Sequence, residues 1–463
     1  MTRMTRRNFV QTLAGTATMA AFPARAQNTG APLLVAAPGT ARLAPADYPE
    51  TAIWGYGGAV PGPELRVPQG ARLTRQFVNR LPQASGVHWH GIRIDNAMDG
   101  VAYMTQDPVE PDEAFLYDFT LPDAGTYWYH PHNRTYEQMA RGLYGALIVE
   151  EPDGAPEIDG EEILLLDDWR LTEDAQIADD FENLHDWAHA GRLGNWITVN
   201  GAGSWSRPTA RNDRLRLRLV NVANARIFTL SGQNMSGWIV ALDGMPLPVP
   251  QPFDRVVLAP SQRVDLIVDL RGEAGDEALL ISHERDGSFA LAGFPIGAPR
   301  RTVGRAAPAP LPPNPVTPLG NVAAARRVEL RMEGGAMGGM RGAMMGGRMQ
   351  DMRAMAAEGK VWAFNGRADM PDTPLIEADR GETIRIAMQN DTAWPHAMHL
   401  HGHHFRQIRD EDGSLGPLRD TLLMDRGETA EIAFVADNPG DWLLHCHMLE
   451  HAAGGMMTWL RVA

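Results

Sequence analysis

Short runs in which apolar and polar residues alternate recur along most of the chain. Arg214-Leu215-Arg216-Leu217-Arg218-Leu219-Val220 and Arg263-Val264-Asp265-Leu266-Ile267-Val268 are two of them, and a period of two marks a strand with one face turned to a core. The runs are cut by Pro-Asp, Asn-Gly and Asp-Gly pairs, and the chain holds 47 Gly and 34 Pro in 463 residues. That pattern suits many strands joined by turns better than long helices. An all-β fold is predicted. One hydrophobic core rarely serves so long a chain, so two or three domains are expected.

The alternation is organised by a diverged internal duplication. Gly70, Asn79, His88, His90 and Gly91 recur with identical spacing as Gly381, Asn390, His399, His401 and Gly402. The match continues from Gly125-Thr126-Tyr127-Trp128-Tyr129-His130-Pro131-His132 to Gly440-Asp441-Trp442-Leu443-Leu444-His445-Cys446-His447. Pro131 stands where Cys446 stands. Between the repeats, residues 162–300 alternate like strands but contain no His-X-His, which reads as a spacer. The Pro-rich stretch after it suits a stiff extended crossover. The predicted organisation is a leader at 1–26, domains at 27–155 and 156–305, a linker at 306–319 and a third domain at 320–463.

Charge narrows the partners. The formal net charge is −15, which makes nucleic acid and anionic membrane poor partners. Residues 5–10 read Thr-Arg-Arg-Asn-Phe-Val, an apolar stretch follows from Leu13 to Phe22, and Ala24-Arg25-Ala26 is a small-X-small cleavage signal. This resembles a twin-arginine export peptide, implying recognition by that export machinery, a periplasmic location and no membrane anchor after cleavage.

An exported chain with a single cysteine has no internal disulfide partner. Cys446 sits in His445-Cys446-His447-Met448-Leu449-Glu450-His451, with Met456 beyond. Thiolate, imidazole and thioether together are the ligand types of an electron-transfer copper, completed by one more histidine. Ten of the fifteen histidines fall in four clusters: His88/His90, His130/His132, His396/His399/His401 and His445/His447/His451. On a strand, residues i and i+2 share a face, so each His-X-His offers two imidazoles to one place. The same alternation puts Cys446 on the face opposite His445 and His447, a short covalent route between two metal sites. Zinc competes for histidine clusters, but structural zinc sites have no use for the downstream methionine.

In these motifs the chain resembles the multicopper oxidases, a family that includes laccases and bacterial cuprous oxidases. The resemblance implies three cupredoxin-like β-sandwich domains of Greek-key type and four copper ions. It assigns type 1 copper to His396, Cys446, His451 and Met456, type 2 to His88 and His399, and the type 3 pair to His90, His130, His132, His401, His445 and His447. It implies one-electron oxidations at Cys446 coupled to four-electron reduction of O2 to water. Asp99 matches an acidic residue near the cluster in relatives and is a candidate proton relay; a turn aspartate is the alternative. Two departures stand out: Ala397 follows His396 where many relatives have Pro, and Ala452 follows His451 where bacterial relatives often have Glu. Asp99 and Glu450 are the candidates to replace that Glu. His185 and His189 read as a solvated helix face, and His403 and His404 as structural.

Residues 332–355 carry Met332, Met337, Met340, Met344, Met345, Met349, Met352 and Met355 among Gly, Ala and Arg. Thioethers bind Cu(I), and bacterial cuprous oxidases have a Met-rich insertion at this place. All but Met332 are candidates for a Cu(I) substrate site; a lid or core packing is the alternative. Three readings follow: a periplasmic copper-tolerance oxidase of Cu(I) that also takes phenolic donors, a laccase-like oxidase of organic substrates, or a copper-sequestering or copper-free scaffold.

Overall fold

The computed structural model describes residues 30–152, 154–301, 303–409 and 413–463; the export signal expected at 1–26 lies outside the described residues. Three pairs of sheets stack face to face. In the first, strands Thr51–Tyr56, Leu33–Ala41, Arg72–Asn79 and Ala114–Thr120 form one sheet, and Leu65–Pro68, Gly145–Glu150, Gly125–His130 and His88–His90 the other. Leu34, Phe77, Tyr117, Trp89, Tyr129 and Leu147 fill the space between them. Neighbours that are not consecutive in sequence give the crossed connections of Greek-key sandwiches. The central sandwich closes over Leu164, Leu217, Leu219, Phe228, Leu266 and Phe294, and the last over Leu330, Ile384, Ile386, Phe434, Leu444 and Leu460. All three are cupredoxin-like, as the all-β expectation requires.

The internal duplication is a duplication of register. Strand His88–His90 pairs with Gly125–His130 so that His88 faces His130. Strand His396–Leu400 pairs with Gly440–Cys446 so that His399 faces His445. Each half thus brings two His-X-His segments side by side on neighbouring strands, and both halves aim them at the same place.

The central sandwich does more than separate the other two. Leu215, Leu217 and Leu219 enter its core, and the alternate residues Arg214, Arg216 and Arg218 are also buried. Their face meets the first sandwich. Arg216 bonds Asp265 and Glu151, while Arg218 bonds Asp265, Glu161 and the Thr126 hydroxyl. Alternation that resembles a solvated face is here an interface, because each guanidinium has a carboxylate to meet. The Pro-rich crossover lies along the same seam. Asn314 exchanges two hydrogen bonds with the backbone of Ala124, and Arg93 donates to the carbonyl of Pro315.

The methionine-rich stretch is structured. Met332 is a fully buried core residue of strand Arg326–Gly334. A hairpin, Gly342–Met345 with Arg348–Asp351, leads into helix Met352–Ala357, whose Asp351 cap accepts from the backbone N–H of Ala354. Met355 packs beneath it with Ala343, Ala363 and Ala368 and has no exposed surface. The expectation that Met355 meets dissolved copper is therefore corrected. Met337 and Met349 point outward, 77% and 70% exposed.

Candidate metal centre

The register places eight imidazoles between the first and last sandwiches. His132, His401 and His445 have ring nitrogens within 4.8 Å of one another, as do His88, His399 and His401. Nδ1 of His90 and Nε2 of His447 each lie 3.4 Å from Nε2 of His130. The rings interleave across the duplication. His88 stacks on His401 at 4.0 Å, and His90 stacks on His399 at 3.9 Å.

In five of the eight rings, hydrogen bonds decide which nitrogen faces inward. His130 Nδ1 donates to the carbonyl of Pro131, and His445 Nδ1 donates to the carbonyl of Cys446, 2.9 and 2.8 Å. The slot that differs between repeats therefore performs the same backbone task in both. His88 Nδ1 donates to the carbonyl of Asp99, and His399 Nδ1 to that of Asp420, 2.8 and 2.9 Å. Each aspartate also reaches across to the other repeat: Asp99 Oδ2 accepts from His401 Nδ1 at 2.9 Å, and Asp420 Oδ1 lies 3.5 Å from His90 Nε2. With those nitrogens protonated, the opposite nitrogen of each ring presents a lone pair to the interior.

That interior fits metal ions. Nε2 atoms of His88, His132 and His399 are buried with no hydrogen-bond partner among the described residues. Nε2 of His401 faces Nε2 of His445 at 3.1 Å, although both rings donate from Nδ1. Facing lone pairs repel unless a cation lies between them. Burial, reinforced by neighbouring imidazoles, holds His90, His130, His401, His445 and His447 well below the ordinary histidine range and His132 at about 3. These six rings are held toward the neutral form, the state in which imidazole ligates.

Asp99 and Asp420 are anchored differently. For both, burial raises the carboxyl pKa but is outweighed: by His401 and His88 at Asp99, and by Arg263 and the histidines at Asp420. Both stay well below the usual carboxylate range. Arg263 comes from the central sandwich, is fully buried, and grips Asp420 with two bonds of 2.9 and 2.6 Å. Neither Asp420 nor Arg263 carries a sequence signal: Arg263 reaches the site only through packing between sandwiches, and Asp420 lies in no motif spaced from the histidines.

On the other face of strand Gly440–Cys446 lies the second centre. Cys446 Sγ is 3.7 Å from His396 Nδ1 and 3.8 Å from His451 Nδ1, and those two nitrogens are 3.0 Å apart. His451 Nε2 donates to the carbonyl of His189 at 2.7 Å, and His396 Nε2 is 2.8 Å from the Thr392 hydroxyl. Both Nδ1 atoms are thereby left to face the sulfur. Met456 is fully buried in the same core, and its carbonyl accepts from the Cys446 N–H. Burial pushes the thiol up to about 12, so only a bound cation would make it a thiolate near neutrality. A soft sulfur and two neutral imidazoles in a dry pocket suit copper.

A cleft of about 570 Å³ flanks the eight-histidine cluster, lined by Tyr103, Met104, His132, His445, Ala452 and Met457 among others. A glutamate at position 452 would face it. Glu450, the sequence alternative, does not: its carboxylate accepts from the Arg192 N–H and the Asn224 amide at 3.1 and 2.9 Å, clamping the central sandwich. That expectation is corrected. His403 bonds the carbonyl of His401, and His404 lies 3.7 Å from Asp420, a structural place for both.

Cupredoxin-like sandwiches with a cysteine–histidine centre wired to a histidine cluster define a copper redox protein, and the comparisons narrow the class. Multicopper oxidase family models match residues 39–154 and 346–463. The structure resembles that of Lac15 from a marine microbial metagenome, with 42% identity, a TM-score of 0.76, and coverage of 93% of this chain and 100% of that one. The multicopper oxidase MmcO of Mycobacterium tuberculosis is 29% identical over 440 residues, 88% of this chain and 82% of that protein. A copper resistance protein A homolog of Pseudomonas syringae pv. tomato is 25% identical over 530 residues, 88% of each. The chain belongs to the multicopper oxidases. It is an oxidoreductase that uses copper and O2.

Proposed function

We propose that the chain is a periplasmic cuprous oxidase serving copper tolerance, with phenolic donors as a second substrate class. The donor reading is supported by the contacts at the two ends of the methionine-rich segment, which lie beside the Cys446 centre. Ala336 donates to the carbonyl of Ala188, and the Trp394 indole donates to the carbonyl of Ala336, 2.7 and 3.0 Å. Trp362, which follows the segment, packs its ring 4.5 Å from His451 and 5.1 Å from His396. Relatives named for copper resistance support the physiological setting. The twin-arginine pattern at 5–10 supports export.

The proposed ligands are His396, Cys446, His451 and Met456 for type 1 copper and His88 and His399 for type 2. His90, His130 and His447 would hold one type 3 ion and His132, His401 and His445 the other. Four bound coppers supply one-electron steps that together reduce O2 to water. The chain's own contribution is positional. Cys446 connects through its peptide bonds to His445 and His447, giving electrons a covalent route across one strand. Asp99 and Asp420 hold three of the eight rings, His88, His399 and His401, in one tautomer before any metal arrives. Asp99 is fixed as an anion beside two imidazoles, so its role here is to orient His401 and His88.

Replacing Met340, Met344, Met345 and Met349 with leucine removes thioethers and keeps volume. On copper-loaded enzyme this should lower kcat/KM for Cu(I) while phenol turnover holds. An unchanged Cu(I) rate sinks delivery by the hairpin.

A further inference from the structure

We propose that His185, His189 and Met337 form a docking site for Cu(I), from which an electron reaches the Cys446 centre through the backbone of His189. The inference rests on the cuprous reading above and goes further by locating the donor. It begins with a contact no motif predicted: the His189 carbonyl accepts the Nε2–H of His451 at 2.7 Å. His451 is itself buried, so no reductant touches its ring directly. The first group outside it is His189.

The side chain of His189 is placed to receive a soft cation. Its Nδ1 donates to the carbonyl of His185 at 2.8 Å, which leaves Nε2 with a lone pair. The His185 ring lies parallel to it at 4.0 Å, is exposed, and makes no side-chain hydrogen bond among the described residues. Trp394 closes one side, edge-on to His189 at 5.2 Å.

Met337 comes to the same place by a separate route. Its neighbour Ala336 is bonded to Ala188, the residue before His189, and to Trp394, so the chain delivers Met337 one residue beyond that contact. Residues 335–338 form a turn closed by the Gly338 N–H on the carbonyl of Gly335, and Met337 occupies its third position with φ of +63°. Glycine is the unstrained residue there. In a segment with glycine on every side, a methionine holds the strained position and is 77% exposed. Imidazole nitrogen and thioether sulfur are a Cu(I) ligand set.

The step balances simply. Docked Cu(I) gives up one electron and becomes Cu(II), no proton moves, and O2 is the final acceptor. The electron path is the His189 side chain, its carbonyl, one hydrogen bond and the His451 ring. The Met337 thioether favours Cu(I) over Cu(II), while the imidazoles bind both states.

Ag(I), a redox-inert stand-in for Cu(I), provides a readout independent of turnover. On copper-loaded enzyme, His189→Ala should weaken Ag(I) binding and raise KM for Cu(I), each about tenfold, and Met337→Gly should act in the same direction. In Met337→Gly, at a position that bonds no copper ligand among the described residues, the blue absorption and turnover of 2,6-dimethoxyphenol should not change. Unchanged Ag(I) affinity and unchanged Cu(I) KM in His189→Ala would overturn the site. If the leucine hairpin variant meanwhile loses Cu(I) activity, the broader cuprous reading stands without it. An altered blue band in Met337→Gly would also overturn it, since Met337 would then act through the fold of the copper centre.

Discussion

The two ends of the chain fold the same segments in the same register, yet only one of them builds a site around the slot between its last two cluster histidines. Counting from the matched pairs, His396, Cys446, His451 and Met456 in the last sandwich correspond to Ser85, Pro131, Tyr136 and Arg141 in the first. Those four make no soft ligand set. Ser85 instead bonds Gln138, and Arg141 pairs with Glu137 and stacks on Trp54. The cluster-facing side was kept in both halves, and the opposite side was kept in one. The difference teaches that the fold fixes where imidazoles converge, whereas an electron inlet needs four further residues that a sandwich does without.

The aspartates repeat the lesson in finer detail and give the largest expected effect. Asp99 and Asp420 orient rings alike, but only Asp420 also balances a buried arginine. Asp420→Asn should destabilise the protein by about 3–5 kcal/mol, the cost of stranding a buried charge, seen as a lower Tm with and without copper. Asp99→Asn strands no arginine and should leave Tm far less changed. A Tm loss of equal size in the two variants would erase the distinction.

Acid should expose the shared cluster next. The imidazoles of His90, His130, His401, His445 and His447 are held neutral in the fold, below their unfolded pKa of about 6.5. The unfolded chain therefore binds more protons below that pH. Stability is fully present above about pH 6.5 and falls as pH drops toward the folded values, by about 1.4 kcal/mol per pH unit for each such proton. Denaturant titration of the copper-free protein between pH 7 and pH 5 measures it; a flat profile contradicts the neutral cluster.

Smaller effects separate the halves further. Asp99→Asn should cost about 10–100-fold in copper affinity or turnover through misoriented His401 and His88, read by metal competition. Pro131→Cys should add no second blue copper, because Ser85, Tyr136 and Arg141 supply nothing to complete it. A doubled blue band in that variant would show that the slot alone makes the inlet.

Much of this was legible in the sequence, for a physical reason. His-X-His on a strand is a local pattern, and its repetition at fixed spacing survives because register depends on it. The strand alternation that separates Cys446 from His445 and His447 is equally local. Asp420, Arg263 and the His189 carbonyl were not legible, since each acts across a packed interface that no spacing encodes. Glu450 looked available for proton transfer because it adjoins His451, but its side chain turns to the central sandwich. The methionines divided by packing: Met332 and Met355 fill cores, while Met337 and Met349 do not, and composition alone could not sort them.

Copper content and visible absorption of wild type and Cys446→Ser, measured on the same loaded preparations, test the central claim of one inlet serving a cluster built by both halves. The account predicts an intensely blue wild type and a colourless variant that keeps about three of four coppers. A blue band that survives loss of the thiolate, or a variant that loses the cluster copper together with the colour, would contradict it.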